Sequence, residues 1–217
     1  MLESTVQPTR IWLVRHGEPE LSVRGRCYGS LDIGLSSEGE RQMEVVARML
    51  SHEPFAVIYT SPRLRCKQSA TIMSAVHNCP VETVDAFSEI NFGEFEGCSY
   101  EDIETRYPDL YREWMEHPTE IQFPGGESLD AMWTRVTEAA SALRTRHSGQ
   151  SIALVTHGGV IRILIAETLA MPREYIFRVA QRYAAVNLIW YFGMSSVVEL
   201  MNFSAGSDFS TVNRVTA

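Results

Sequence analysis

Apolar residues along the chain fall into short runs separated by segments of helical spacing. Ile11–Val14, Phe55–Thr60 (FAVIYT), Ser151–Thr156 (SIALVT) and Val186–Phe192 are short, dominantly apolar stretches and predict buried strands. Val81–Val84 and Ser196–Met201 give weaker strand signals, the latter joined to Val186–Phe192 at Gly193-Met194. Between them the spacing becomes helical. Met43, Val46 and Leu50 predict an amphipathic helix up to Ser51, opened by Ser37 and Glu40 in capping-box spacing. Ser61-Pro62 reads as the cap and first position of a helix running to His77, with Arg65 in its first turn. Residues 99–116 predict helix broken at Pro108. Ser128 caps a long helix with Leu129, Met132, Val136, Ala140 and Leu143 on its core face, and Val160–Ala170 predicts an apolar helix.

Strands alternating with helices predict an α/β fold built on a mainly parallel sheet. The chain shows no internal repeat. Three connections stand out: His16–Leu35, carrying glycines 17, 25, 29 and 34; the irregular stretch Phe87–Gly97; and the loop Pro118–Glu127. A loop as long as the first is expected to be functional or disordered, and Arg24, Arg26 and Tyr28 favour function. Residues 1–9 are expected to fray, and the polar tail from Ser204 to be disordered. The arrangement reads as one domain over 1–217, with 98–124 an irregular, helical insertion over the site.

The 217 residues, 45% hydrophobic, suffice for one core of good size. A formal charge of −8 argues against nucleic acid and anionic membranes as partners, but not against an anionic substrate in a local arginine pocket. Four cysteines without a CxxC pair read as free thiols of a reducing, cytoplasmic compartment. Cys27 and Cys66 read as packed thiols, not nucleophiles. No leader or membrane span is expected from the sequence. The C-terminal strands offer an edge through which a homodimer is conceivable.

The chemistry enters through where the buried strands stop. Parallel sheets bind ligands at the carboxyl ends of their strands. Here those ends carry Arg15-His16, Arg65 and His157. Two guanidiniums match a tetrahedral oxyanion, and an imidazole kept neutral by them can attack phosphorus. The leaving alkoxide needs a proton, for which Glu89 is the candidate, with Glu18 and Glu127 behind it. Such covalent catalysis calls for no metal or cofactor, and the histidines lack the HxH or HxxxH spacing of a metal site. His52, His77, His117 and His147 are expected at the surface.

Five motifs stand in order: LVRHGE at 13–18, SPRLRCKQSA at 61–70, SEINFGEFEG at 88–97, PGGES at 124–128 and VTHGG at 155–159. In this the chain resembles the histidine phosphatase superfamily, branch 1, which includes cofactor-dependent phosphoglycerate mutase. The resemblance covers roughly 10–192 and implies a three-layer α/β/α sandwich. It implies that His16 is the phosphorylated histidine and that Glu89 is the proton donor. His157 joins these two as a catalytic residue, and Arg15, Arg65, Ser22 and Gly158 contact phosphate, Ser22 standing where many members place Asn. Within the superfamily, the loop GRCYGSLDIGLSSEGERQ at 25–42 looks most like alpha-ribazole phosphatases, which act in cobalamin biosynthesis, and Arg26, Tyr28 and Gly29 become candidate substrate contacts. The implied substrate is a small phosphorylated metabolite, with alpha-ribazole 5′-phosphate preferred. A broad-specificity phosphatase, a phosphoglycerate mutase-type phosphoryl transferase and a catalytically silent phospholigand-binding module are the alternatives. The short segment between Gly97 and Pro124, with Gly159 where mutases often carry Asn, points away from the mutase.

Overall fold

The computed structural model describes residues 7–193 and 195–204. Most of the expected loose ends, and Met194 of the expected turn, lie outside them. Among the described residues six strands make one sheet in the order β3-β2-β4-β1-β5-β6. They are β1 (Thr9–Arg15), β2 (Phe55–Thr60), β3 (Val81–Thr83), β4 (Ser151–Thr156), β5 (Val186–Phe192) and β6 (Ser195–Phe203). β3, β2, β4 and β1 run parallel; β5 is antiparallel to β1 and β6 antiparallel to β5.

Alternate side chains of the strands enter two cores, which gives three layers. Ile11 and Leu13 of β1, with Val57, Tyr59, Ile152 and Leu154, pack under α5 (Leu129–Arg146) and α6 (Gly158–Thr168). Val14, Ile58, Ala153 and Val155 pack on the other face, under α1 (Ser37–Met49) and α2 (Leu64–His77). β4, between β2 and β1, is buried at every position. A smaller core of Cys27, Phe95, Ile103, Trp114, Ile121 and Phe123 holds α3 (Tyr100–Arg106) and α4 (Pro108–Glu116), so residues 99–116 fold as two helices. Among the described residues no helix is long and apolar enough to cross a membrane.

The termini of these elements differ from expectation in instructive ways. Ser36, not Ser37, caps α1: its Oγ accepts from the Gly39 N–H at 3.0 Å. The chain selects Ser36 because its own N–H donates to Glu18 O at 2.9 Å, pinning it in extended backbone. α2 begins at Leu64, two residues past Pro62, because the Ser61 hydroxyl turns inward to a buried imidazole instead of capping. α6 starts at Gly158, earlier than predicted. His147 is not a surface residue: only 7% exposed, it sits 2.8 Å from Tyr59 Oη and 2.7 Å from Gln150 Oε1, closing the core below the sheet.

One register fact positions the chemistry. Arg15, the last residue of β1, pairs with Thr156, the last of β4. His16 and His157 therefore each stand one step beyond the same paired position.

Candidate active site

The carboxyl ends of β1, β2 and β4 open onto a cavity of about 240 Å³ lined by Arg15, His16, Arg65, Glu89 and His157, with Arg26, Tyr28 and Gly29 also in its wall. A larger hollow of about 720 Å³ lies at the opposite end of the sheet, near Thr9 and Ser195, where Arg144 is already paired with Glu167.

His16 is 2% exposed and its Nδ1 lies 2.7 Å from the Gly17 carbonyl oxygen. A carbonyl only accepts, so Nδ1 carries the hydrogen and Nε2 keeps its lone pair. Burial, followed by the charges of Arg15 and Arg65, holds this imidazole well below the usual histidine range. The ring is therefore neutral at neutral pH. The His157 ring lies 5.3 Å away, edge to face. Arg65 Nη2, which can only donate, meets His157 Nδ1 at 3.3 Å. His157 Nε2 therefore bears the hydrogen and donates to Ser61 Oγ at 2.8 Å, with Cys66 Sγ at 3.4 Å. Burial and then Arg65 depress this imidazole too.

Arg65 has no exposed surface, and it donates to the carbonyls of Leu31 (2.8 Å) and Gly29 (2.9 Å). Arg15 donates to Gln181 O and lies over the Tyr183 ring at 4.2 Å. In each guanidinium the Nε–H is buried and has no partner. Unmet buried donors on cations are costly, and an anion in the cavity would satisfy them. Gly158 opens α6 against this group, where a Cβ would stand 3.6 Å from Arg15 Cζ, and the positive end of the helix adds to the field.

Glu89 comes from the irregular segment between β3 and α3. Its Oε1 accepts from the Ile90 N–H at 3.0 Å and its Oε2 from the Gly159 N–H at 3.1 Å. Of the three acids singled out in the sequence, only this one lines the cavity. Glu18 lines a neighbouring hollow, and Glu127 is engaged by Arg135 at 2.7 Å. Gly29 lies where a Cβ would come within 1.8 Å of Ile90 O, so the loop between β1 and α1 crosses the Glu89 segment backbone to backbone. Tyr28 Oη is 2.7 Å from Tyr183 Oη, and Arg26 donates to Gly97 O at 2.7 Å. Ser22 does not join them. It is exposed on a one-turn 3₁₀ helix, Leu21–Val23, whose Val23 takes the buried position.

Three site residues escaped the sequence reading. Arg162 lines the cavity, anchored by Nε to Val179 O at 2.8 Å. Its signal was available: a lone cation inside the apolar run GGVIRILIA. Tyr183 stacks beneath Arg15 from a loop with no motif. Ser61, in the position of a helix cap by sequence, has its partner far along the chain in His157. The thiols of Cys27 and Cys66 are both pushed up to about 12 by burial, so neither is a thiolate at neutral pH.

These features meet known proteins at the family level. The model of the histidine phosphatase superfamily (branch 1) matches residues 11–204, and the chain belongs to that family. Phosphoserine phosphatase 1 of Hydrogenobacter thermophilus is 35% identical over 162 residues, covering 75% of this chain and 77% of the relative. Phosphoglycerate mutase-like protein 4 of Arabidopsis thaliana is 34% identical over 172 residues, covering 78% and 75%. The crystal structure of the alpha-ribazole phosphatase from Shigella flexneri superposes with a TM-score of 0.82 at 25% identity, covering 89% of this chain and 96% of that one.

Proposed function

We propose that this phosphoric monoester hydrolase works through a phosphohistidine at His16. The observation that carries the reading is the pair of buried, unpartnered Nε–H donors of Arg15 and Arg65 beside a neutral imidazole whose Nε2 is free. Arg15, Arg65, His157 and Gly158 hold the phosphoryl group; Ser22 is outside this set. His16 Nε2 attacks phosphorus, the ester P–O bond breaks, and Glu89 gives its proton to the departing oxygen. Water then attacks the phosphohistidine, its proton passes to Glu89, the N–P bond breaks and phosphate leaves.

For the substrate we propose alpha-ribazole 5′-phosphate, whose departing alcohol is alpha-ribazole. The cavity rim is aromatic: Phe92 and Tyr100 line it, and Tyr100 is stacked on Trp114 at 5.4 Å, a surface suited to a flat heterocycle. Phosphoserine is the second reading, favoured by the 35% identical relative. Comparing kcat/KM on these two esters and 3-phosphoglycerate decides between them, and better turnover of either comparator removes the ribazole assignment. Wild-type protein should carry an acid-labile, base-stable phosphoryl label that His16→Ala lacks. Equal turnover by the two proteins would refute the nucleophile.

A further inference from the structure

Glu89 sits in a segment without regular structure, yet an acid catalyst must be held within a fraction of an ångström. α6 touches the carboxylate itself through the Gly159 N–H, while the backbone around the acid is held by a side chain from α5. Arg135 Nη1 donates to Ala86 O at 2.7 Å and to Ser88 O at 2.8 Å, and Nη2 approaches Glu89 O at 3.4 Å. Its other edge is taken by Glu127, with Nε–Oε1 and Nη2–Oε2 both at 2.7 Å. One guanidinium thus gathers three carbonyls of the Glu89 segment, those of Ala86, Ser88 and Glu89, and locks its own orientation with a two-pronged ion pair. The Glu127 N–H in turn donates to Asn91 O at 2.9 Å, on the far side of Glu89, so the acid is bracketed before and after. Arg135 lines the basin behind Glu89 and is absent from the wall of the His16 cavity.

We infer that Arg135, clamped by Glu127, is the positioning residue for the acid Glu89, setting how well the enzyme expels leaving groups that need a proton. The inference rests on the assignment of Glu89 as the acid. The structure supports a role for Arg135 in proton donation that is separate from phosphate binding, since Arg135 contacts the backbone of the acid's segment and none of Arg15, His16, Arg65 or His157.

The test compares two esters on the 217-residue protein: whichever of the three alkyl phosphates above turns over best, whose alkoxide needs a proton, and p-nitrophenyl phosphate, whose phenolate leaves without one. Because hydrolysis of the phosphohistidine is common to both esters, the readout is the single-turnover rate of enzyme phosphorylation: Glu89→Gln should cut it by about 100-fold or more with the alkyl ester and far less with the aryl ester. Arg135→Met should reproduce that selectivity at roughly 10- to 100-fold, with KM for both esters within about twofold of wild type. Glu127→Gln should move in the same direction to a smaller extent. If Arg135→Met does not fold, Arg135→Lys, which keeps the charge and loses the fork, is read in the same way. Equal losses on both esters, or no loss on either, overturn the role of Arg135 while leaving Glu89 in place. Equal losses in Glu89→Gln itself overturn the acid assignment and the clamp with it.

Discussion

Gly159→Ala is a one-methyl perturbation aimed at the acid. An added Cβ at this position, the second of α6, would stand 2.3 Å from Glu89 Oε1 and 3.1 Å from both Glu89 Cδ and Met132 Cε. Ordinary contact begins near 3.4 Å, so the carboxylate must retreat by about 1 Å and its bond from the Gly159 N–H breaks. The obstructed atoms are ends of flexible side chains, so the backbone has no need to move. Losing one hydrogen bond costs about 1 kcal/mol, and replacing Gly by Ala in a helix returns up to about 1 kcal/mol. Stability should therefore hold while catalysis fails. A displacement of this size costs about 100-fold in rate, read as kcat on an alkyl phosphate, with urea midpoint and phosphate inhibition unchanged. Wild-type kcat in a folded Gly159→Ala protein would show that the acid is elsewhere, and a collapsed midpoint would show that the helix start cannot absorb the methyl.

The remaining predictions concern the two imidazoles. Both His16 and His157 are held well below 6.5 in the folded protein, so between their folded values and 6.5 only the unfolded chain takes up their protons. Stability is fully present above 6.5 and declines as pH falls below it, by about 1.4 kcal/mol per unit for each histidine, whereas the burst of enzyme phosphorylation persists below pH 6.5; an acid limb centred near 6.5 in single-turnover data would contradict the neutral His16. Ser61→Ala leaves the His157 Nε2–H with only the weakly accepting Cys66 sulfur and should cost about 1–3 kcal/mol in urea unfolding; no change would mean that the Ser61–His157 bond does not hold the ring.

What was legible in the sequence follows from how local each signal is. β2, β4 and β5 have their predicted bounds because each is a short apolar run in a buried place. Leu129, Met132, Val136, Ala140 and Leu143 are all buried, since helical spacing fixes a face irrespective of what it meets. The convergence of Arg15, His16, Arg65 and His157 was readable because each ends or follows a strand. Helix starts were less readable: Ser36 and Ser37 are equivalent letters, and a contact from Glu18 separates them. Ser61 and Tyr183 act through partners far away in sequence, and Ser22 was placed by analogy of position when the local turn points it outward. Arg135 has no signal in the sequence, because apart from Glu127 its partners are backbone carbonyls, which no side-chain pattern records.

The pairing of Arg15 with Thr156 gives the molecule a built-in folding assay. A slip of β1 against β4 by two residues would preserve every inward and outward side chain, yet carry the rings of His16 and His157 about 7 Å apart along the strands. Refolded samples that regain helical signal but not turnover would thus contain a sheet assembled out of step, and specific activity per folded molecule counts the fraction that is aligned.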